Sequence, residues 1–543
     1  MIGIEDYMDV QPLANYSELT PLRFLQRSVE VYPSKDAIVH GARTYSYAQF
    51  GAEVQAFAKA LAARIKPGDR VAVLAPNIPE MLFAHYAVPL AGGVLVALNT
   101  RLSARELGYI MEHSGTKILL ADSELLAATV TLRSEIPTLE ALIEIQDAEF
   151  TGSRPEVAVD GTYSDFISAG TGADLDYAIA DERAPITLNY TSGTTGKPKG
   201  VLYSHRGSYL NSLGEAFHQG FDAHTRYLWT LPMFHCNGWC TPWAVTAAGG
   251  THLCLRGVRD QPVWDAIDDL GVTHLCGAPT VCSIIADSTR AHALERGIKI
   301  TTAGAPPSPA IIQKLQKLSI DVVHVYGLTE VYGPYTICEY QDAWDDLDQE
   351  AKAQKVSRQG VGMVQAESAR IVDMDMKDVP ADGETMGEIV LRGNNVMIGY
   401  YRDDEATATA FAGGWFHTGD LGVMHPDGYI QLKDRAKDII ISGGENISTI
   451  EVEQAIASHP EVLDVAVIGV PDEKWGETPV AYVIRASGSD VDAPTLQAHA
   501  RTQLAGYKVP KIIKFPQDLP RTSTGKVQKN VLRQNAYAPE PRT

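Results

Sequence analysis

The sequence predicts an α/β protein that ends in a β-rich stretch and a small α+β unit. Three observations carry this. Apolar runs of four to seven residues alternate with helical periods from about residue 70 to 121, and again from about 227 to 326, which is the pattern of βαβ units and a parallel sheet. From Val361 the texture changes to short strands and turns, such as 387–393 and 428–432. Beyond the charge cluster Lys433-Asp434-Arg435-Ala436-Lys437-Asp438, a strand, a helix at 449–458 and a strand at 462–470 form a separate small unit. The boundary is placed there, giving domains 1–433 and 434–543 of the 543-residue chain, which is too long for one ordinary core.

The elements follow in order. Residues 17–65 read as an opening helix, a hairpin around Gly41 and a helix with Phe50, Val54, Phe57 and Leu61 on one face. Strand 70–74, helix 78–91 and strand 94–98 make a βαβ unit, which implies parallel pairing with a right-handed crossover. Ser103-Ala104-Arg105-Glu106 fits a capping box, so a helix starts there and runs to about His113, before strand 117–121. The stretch 149–181 is polar, without a period, and reads as a connection. A strand at 185–189 and an alternating segment at 201–205 flank a loop, and a helix covers 208–220. Strands at 227–232, 251–254, 273–275, 300–307 and 321–326 alternate with helices at 263–270 and 310–317.

Composition bounds the function. With 45% hydrophobic and 21% charged residues the chain is an ordinary globular protein. A formal net charge of −21 argues against nucleic acid and anionic membrane as partners. Charge is uneven: between Arg501 and Arg533, eight Lys/Arg face one carboxylate, Asp518, which suggests a local anion such as a nucleotide, or a solvated face. The six cysteines form no CxxC pair and no histidine cluster has zinc spacing, so free thiols in a reducing compartment are expected. The N-terminal residues lack a secretory pattern, and the most apolar region, 71–98, is broken by Asn77, Pro79, Glu80 and His85. The cytoplasm is therefore the expected location.

The chemistry centres on Tyr190-Thr191-Ser192-Gly193-Thr194-Thr195-Gly196-Lys197-Pro198-Lys199-Gly200. Three glycines let backbone N–H groups converge on an anion, and hydroxyls and lysines complete a polyphosphate cradle. It is not a Walker A loop, because Pro198 stands where that motif needs Ser or Thr after its lysine. Two glycine-bearing turns, Gly304-Ala305-Pro306 and Gly327-Leu328-Thr329-Glu330, close predicted strands, where ligands sit in open α/β sheets. Gly414-Trp415-Phe416-His417-Thr418-Gly419-Asp420 presents a carboxylate at the end of a turn, suited to two vicinal hydroxyls, and Arg521-Thr522-Ser523-Thr524-Gly525-Lys526 presents one lysine near the C-terminus.

Together these motifs resemble, in order and from about Leu22 to Leu532, the AMP-forming acyl-adenylate superfamily of acyl-CoA synthetases, luciferases and peptide-synthetase adenylation domains. The resemblance implies a large N-terminal domain of stacked α/β sheets with a β-rich subdomain, and a small C-terminal domain that rotates about Asp434 between two half-reactions. It implies that Thr191, Ser192, Gly193, Thr194, Thr195 and Lys199 cradle the β- and γ-phosphates of ATP. Gly304, Ala305 and Pro306 would line the adenine–acyl junction, and Tyr326, followed by Gly327, would stack on adenine. Thr329 would touch the α-phosphate, and Glu330, with Thr191, would hold Mg²⁺. Asp420, with Arg435 nearby, would take the ribose, and Lys526 would be the adenylation lysine. Gly443, Gly444 and Trp475 would meet the pantetheine of coenzyme A, the co-substrate.

The segment Phe234-His235-Cys236-Asn237-Gly238-Trp239 is similar to the acyl-pocket wall of medium-chain fatty-acyl-CoA synthetases, and to that of 3-methylmercaptopropionyl-CoA ligases. The implied pocket is lined by His235, Trp239, Gly304, Tyr332 and Gly333, with His235 also a catalytic candidate. The expected substrate is a short- to medium-chain fatty acid or 3-methylmercaptopropionate. No acidic residue stands out in these walls to hold an amino acid's ammonium group. Two other readings stay open, an acyl-AMP ligase loading a carrier protein and an inactive nucleotide-binding scaffold. A homodimer is common in the resembled group.

Overall fold

The computed structural model describes residues 16–191, 198–304, 309–442, 445–472, 474–522 and 527–537. Among these, two large sheets dominate the N-terminal part. One has eight strands in the order Gly399–Tyr400, Gly200–Ser204, Pro185–Tyr190, Val94–Ala97, Arg70–Leu74, Thr116–Asp122, Ala141–Ile145 and Gly161–Thr162. The strands from Pro185–Tyr190 to Gly161–Thr162 run parallel, as the βαβ reading requires. The other has nine strands, with parallel pairing from Ile320–Leu328 through Ile298–Thr302, His274–Gly277, Arg226–Leu228 and Thr251–Leu253 to Asp36–His40. Helix Pro79–Leu90, all of whose residues are buried, and helix Tyr47–Ala62 fill the principal core.

Many local expectations hold. Helix Ala104–Ser114 starts on the Ser103/Glu106 capping box and ends on Gly115 with a left-handed φ of 67°. The hairpin Asp36–His40/Arg43–Ser46 is present. The phosphate loop lies between antiparallel strands Pro185–Tyr190 and Gly200–Ser204. Three readings need correction. The connection 149–181 contains the edge strand Gly161–Thr162 and helix Tyr163–Ser168, started by a Thr162/Asp165 capping box, and is pinned by Leu175 N–H to Gln55 Oε1 at 2.9 Å. Helix Pro279–Ala286 is unforeseen, because its β-branched residues hide the helical period. Asp420 lies inside strand Phe416–Met424 rather than at the end of a turn: the turn is over by Gly414, and the strand continues through Gly419 at φ 70°.

The β-rich part is an antiparallel sheet in the order Arg370–Val372, Met386–Leu391, Phe416–Met424, Ile430–Arg435. The charge cluster therefore begins within a strand, with Leu421 opposite Asp434 and Asp420 opposite Arg435. The C-terminal unit packs helices Thr449–Ala457 and Ala493–Arg501 on a sheet built around Val462–Asp472 and Gly476–Arg485. Much of its basic tail is spent internally. Lys508 pairs with Glu451 at 2.8 Å, Lys529 with Glu453 at 2.8 Å, Arg533 with Asp438 at 2.6 Å, and Arg521 with Asp464. No described helix is long and apolar enough to cross a membrane.

Candidate active site

A cavity of about 400 Å³ opens where the strand ends of both large sheets meet the C-terminal segment. Asn189, Tyr190 and Thr191 enter it from the end of strand Pro185–Tyr190, and Thr191 N–H donates to Lys199 O at 3.0 Å, closing the mouth of the phosphate loop. Phe234, His235 and Cys236 enter from the acyl-wall segment, and Thr329 from the end of strand Ile320–Leu328. Arg521, Thr522 and Gln528 complete the lining. Residues 192–197, with Ser192, Gly193, Thr194 and Thr195, lie outside the described residues, as do Ala305, Pro306, Gly443, Gly444 and Lys526.

The predicted nucleotide residues fall into linked groups. Tyr326 OH donates to Asp420 Oδ2 at 2.8 Å, and Arg435 Nε stands 3.3 Å from Asp420 Oδ1. Asp420 and Tyr326 are thus one unit, although 94 residues separate them. Glu330 accepts a hydrogen bond from Tyr400 OH at 3.0 Å, and burial pushes its carboxyl above the ordinary range. The Lys199 ammonium lies 4.5 Å from the centre of the same Tyr400 ring. Tyr400 therefore ties the phosphate loop to the predicted metal carboxylate. Sequence reading missed it, because the two-residue strand Gly399–Tyr400 carries no motif.

Among the described residues no group of three His, Cys, Asp or Glu could hold a metal ion. A lone carboxylate fits Mg²⁺ chemistry, since that ion takes one or two carboxylates and fills its shell with water and phosphate oxygens.

The acyl wall has unusual backbone geometry. Cys236, Asn237, Gly238, Trp239 and Cys240 have φ of 43°, 46°, 58°, 57° and 60°, a full left-handed turn. Four of the five carry side chains, and each such residue costs about 1–2 kcal/mol. The turn puts Cys236 on the cavity side, its Sγ 3.4 Å from Thr329 Oγ1 and 3.9 Å from His235 Nε2. Trp239 is buried against Gly333, where a Cβ would stand 2.6 Å from the indole Cδ1 and where φ is 103°. Both facts demand glycine. Tyr332 is fully buried, stacked on Tyr203 at 3.9 Å, and its hydroxyl accepts from Ser204 N–H at 2.8 Å. Gly304 is exposed, with φ 93° and open space where a Cβ would lie.

All six thiols are buried, and burial pushes the Cys236 thiol up to about 12. No thiolate is offered to the cavity for covalent catalysis. Asp434 is buried, and its Oδ2 accepts from Thr449 N–H at 2.5 Å and Thr449 Oγ1 at 2.6 Å, so it satisfies the first N–H of the C-terminal unit's opening helix, which Ser448 caps. Trp475 is 40% exposed, with Lys474 and Lys511 ammonium groups 4.6 and 5.7 Å from its ring, and is not among the described residues lining the cavity.

Comparison with known proteins agrees with this architecture. A model described as AMP-binding enzyme matches residues 25–401, and one described as AMP-binding enzyme C-terminal domain matches residues 451–526. The acetate–CoA ligase CCL3 of Humulus lupulus is 44% identical over 546 residues, covering 96% of this chain and 95% of its own. The peroxisomal acetate/butyrate–CoA ligase AAE7 of Arabidopsis thaliana is 41% identical over 560 residues, covering 98% and 97%. ATP-bound MatB from Rhodopseudomonas palustris superposes with a TM-score of 0.82 at 29% identity, covering 95% of this chain and 99% of its own. By its matched domains and near full-length relatives, this chain belongs to the AMP-binding enzyme family.

Proposed function

We propose that this chain is an AMP-forming acyl-CoA ligase that activates a short-chain carboxylic acid as its acyl-adenylate and passes the acyl group to coenzyme A. One observation carries the reading: Arg521, Thr522 and Gln528, which flank the loop bearing Lys526, line the same cavity as Thr191, His235 and Thr329. The C-terminal segment is thereby presented to the phosphate-loop and acyl-wall ends of the N-terminal domain. The ligase activities printed for the relatives support coenzyme A as acceptor and acids of two to four carbons.

The residues divide the work by charge. A carboxylic acid is ionised at pH 7, so no general base is required and the obstacle is the approach of two anions. Lys199 and Lys526 supply cations to the polyphosphate and to the reacting oxygens. Glu330 would hold Mg²⁺ together with phosphate oxygens, and the ion would share the charge that develops on pyrophosphate. Asp420, oriented by Tyr326 and Arg435, offers a carboxylate to the ribose hydroxyls. His235 and Trp239 flank the acyl group. Domain 434–543 rotates about Asp434 to exchange the adenylation lysine for the Gly443-Gly444 loop and Trp475 beside the thiol, with Asp434 tied to Thr449 at the start of that domain's first helix.

The test is AMP release with ATP and coenzyme A over acids from acetate to dodecanoate, with 3-methylmercaptopropionate included. A maximum at two to six carbons is expected. A maximum at eight carbons or more overturns the short-chain assignment, and release that ignores coenzyme A overturns the acceptor. Lys526→Ala is expected to lower ATP–pyrophosphate exchange at least about a hundred-fold, the scale of a lost transition-state contact, while ATP binding stays largely intact. Equal loss of both would make Lys526 structural. Asp434→Pro is expected to slow thioester formation more than adenylation, and an equal fall in both rates would remove the rotation argument.

A further inference from the structure

Lys199 and Glu330 are a cation and a carboxylate of the phosphate site, and Tyr400 touches both. The Lys199 ammonium lies 4.5 Å from the centre of the Tyr400 ring, and the hydroxyl of the same ring donates to Glu330 Oε1 at 3.0 Å. Among the described residues neither Lys199 nor Glu330 forms an ion pair, although they carry opposite charge and share this one aromatic neighbour. Arg435, the other cation acting on Glu330, is held by Asp420 at 3.3 Å. Backbone hydrogen bonds fix Tyr400 on both sides. Strand Gly399–Tyr400 pairs antiparallel with Gly200–Ser204, the strand that leaves the phosphate loop, with Tyr400 opposite Val201. Tyr401 N–H donates to Gly200 O at 2.7 Å, and Met397 N–H donates to Glu330 O at 2.8 Å. Tyr400 N–H itself donates to Thr407 Oγ1 at 2.9 Å, on helix Asp404–Ala410.

A lysine and a glutamate on either side of one ring, in a site partly closed to water, attract each other strongly enough to close into an ion pair if nothing stands between them. That pair would consume both groups. A Lys199 neutralised by Glu330 attracts polyphosphate less, and a Glu330 covered by an ammonium offers less to Mg²⁺. Tyr400 gives each a different partner. The face of its ring carries the negative part of the aromatic quadrupole and holds the ammonium. Its hydroxyl, on the ring edge, donates to the carboxylate without neutralising it. There is room for an anion beside the cation: Lys199 also lines a second cavity of about 360 Å³ with Tyr109, His113 and Tyr401, and is the only lysine or arginine among its described lining residues. The carboxylate on that cavity, Asp403, is taken up by Ala406 N–H at 3.0 Å as the cap of helix Asp404–Ala410.

We propose that Tyr400 is a positioning residue that holds Lys199 and Glu330 apart, so that the site keeps a cation for the polyphosphate and a carboxylate for the metal until ATP arrives. The inference rests on the ligase reading and adds to it a residue that the motifs do not mark. Removing the ring lets Lys199 and Glu330 close on each other. The resulting loss of ATP affinity then depends on the Glu330 carboxylate, whereas the loss from a merely structural Tyr400 would not.

The experiment titrates ATP into the full chain by calorimetry, with EDTA present to exclude metal, in wild type, Tyr400→Leu, Glu330→Gln and the double variant. Each variant's folding is checked by thermal melting. Tyr400→Leu is expected to weaken metal-free ATP binding about five- to ten-fold. Glu330→Gln is expected to restore most of that loss in the Tyr400→Leu background, and to change Kd by no more than about two-fold while Tyr400 is present, so the two substitutions are coupled. A Tyr400→Leu loss that Glu330→Gln leaves in place overturns the proposal, as does wild-type affinity in Tyr400→Leu. If Tyr400→Leu does not fold, Tyr400→Phe carries the test, because it keeps the ring and deletes only the hydroxyl. Its metal-free Kd is expected within about two-fold of wild type, while the Mg²⁺ needed for half-maximal ATP–pyrophosphate exchange rises about ten-fold, the scale of a lost hydrogen bond to a charged group. A metal-free Kd weakened about five-fold or more in Tyr400→Phe, or an unmoved Mg²⁺ requirement, overturns the proposal. Wild type that binds ATP but forms no acyl-CoA from any acid overturns the ligase reading, and the ATP-binding cycle still decides the role of Tyr400.

Discussion

Two interior helices of this protein follow opposite rules. Pro79–Leu90 buries all its residues: Glu80 pairs with Arg43 at 2.6 Å, burial lowers His85 to about 4, and burial pushes the Tyr86 phenol upward. His205–Gln219 turns Ser208, Asn211, Ser212, Glu215 and Gln219 inward and leaves Leu213 and Phe217 outside. The first helix is dominated by apolar packing, with Glu80 held by an ion pair. The second buries groups that packing alone would turn outward, although both helices leave buried polar atoms without a hydrogen-bond partner among the described residues, Glu80 Oε2 and His85 Nε2 on the first and Ser208 Oγ, Asn211 Nδ2 and Glu215 Oε1 on the second.

Substitutions sharpen the contrast. Phe83, 1% exposed and 5.4 Å from Tyr45 ring to ring, belongs to the packing helix. Phe83→Ala is expected to cost about 3–5 kcal/mol in denaturant unfolding, with acid selectivity unchanged in the molecules that fold. A selectivity change there would blur the distinction. Gly207→Ala, on the polar helix, would set a Cβ 2.3 Å from Tyr332 OH and 2.9 Å from Asn394 O. About 1–3 kcal/mol of lost stability is expected, together with a raised KM for the acid, because Tyr332 is held between Tyr203 and the glycine that backs Trp239. Unchanged KM would detach that helix from the acyl wall.

Titration gives a signature that is smaller in size. Burial pushes Glu215 from 4.5 up to about 8. A carboxyl raised by folding binds its proton more tightly in the native state. Its stabilising contribution is full below pH 4.5 and is lost as pH climbs toward about 8. The titratable groups facing it, Cys240, Cys276 and Tyr227, are all pushed upward out of that window. The melting temperature of Glu215→Gln minus that of wild type is therefore expected to rise between pH 5 and pH 9. A flat difference would show that Glu215 is not held neutral. The smallest effect belongs to Phe217→Ser: with the ring 70% exposed, stability should move by no more than about 0.5 kcal/mol.

Local chemistry was the legible part. The Ser103/Glu106 box, the βαβ unit 70–97 and the hairpin at Gly41 rest on contacts within a few residues, and the structure keeps all three. The phosphate-loop setting and the turn at Gly327–Glu330 were readable for the same reason, since each uses backbone geometry that a short motif dictates. Asp420 was found by motif, yet its place within a strand was not, because His417, Thr418 and Gly419 carry no strand alternation. The chain in isolation thus determined the α/β class and the order of the glycine-bearing turns at the strand ends. Only the tertiary structure decided which distant groups meet: Tyr400 on Glu330 across 70 residues, Tyr326 on Asp420 across 94, and Arg521 and Thr522 on the cavity that His235 also lines. It also folded Glu215 beside Cys240, at the end of the acyl-wall segment and 25 residues away in the chain. Helical periodicity shows which residues share a face, but which face turns inward is set by the sheets and turns packed around it, and those are fixed by the rest of the chain.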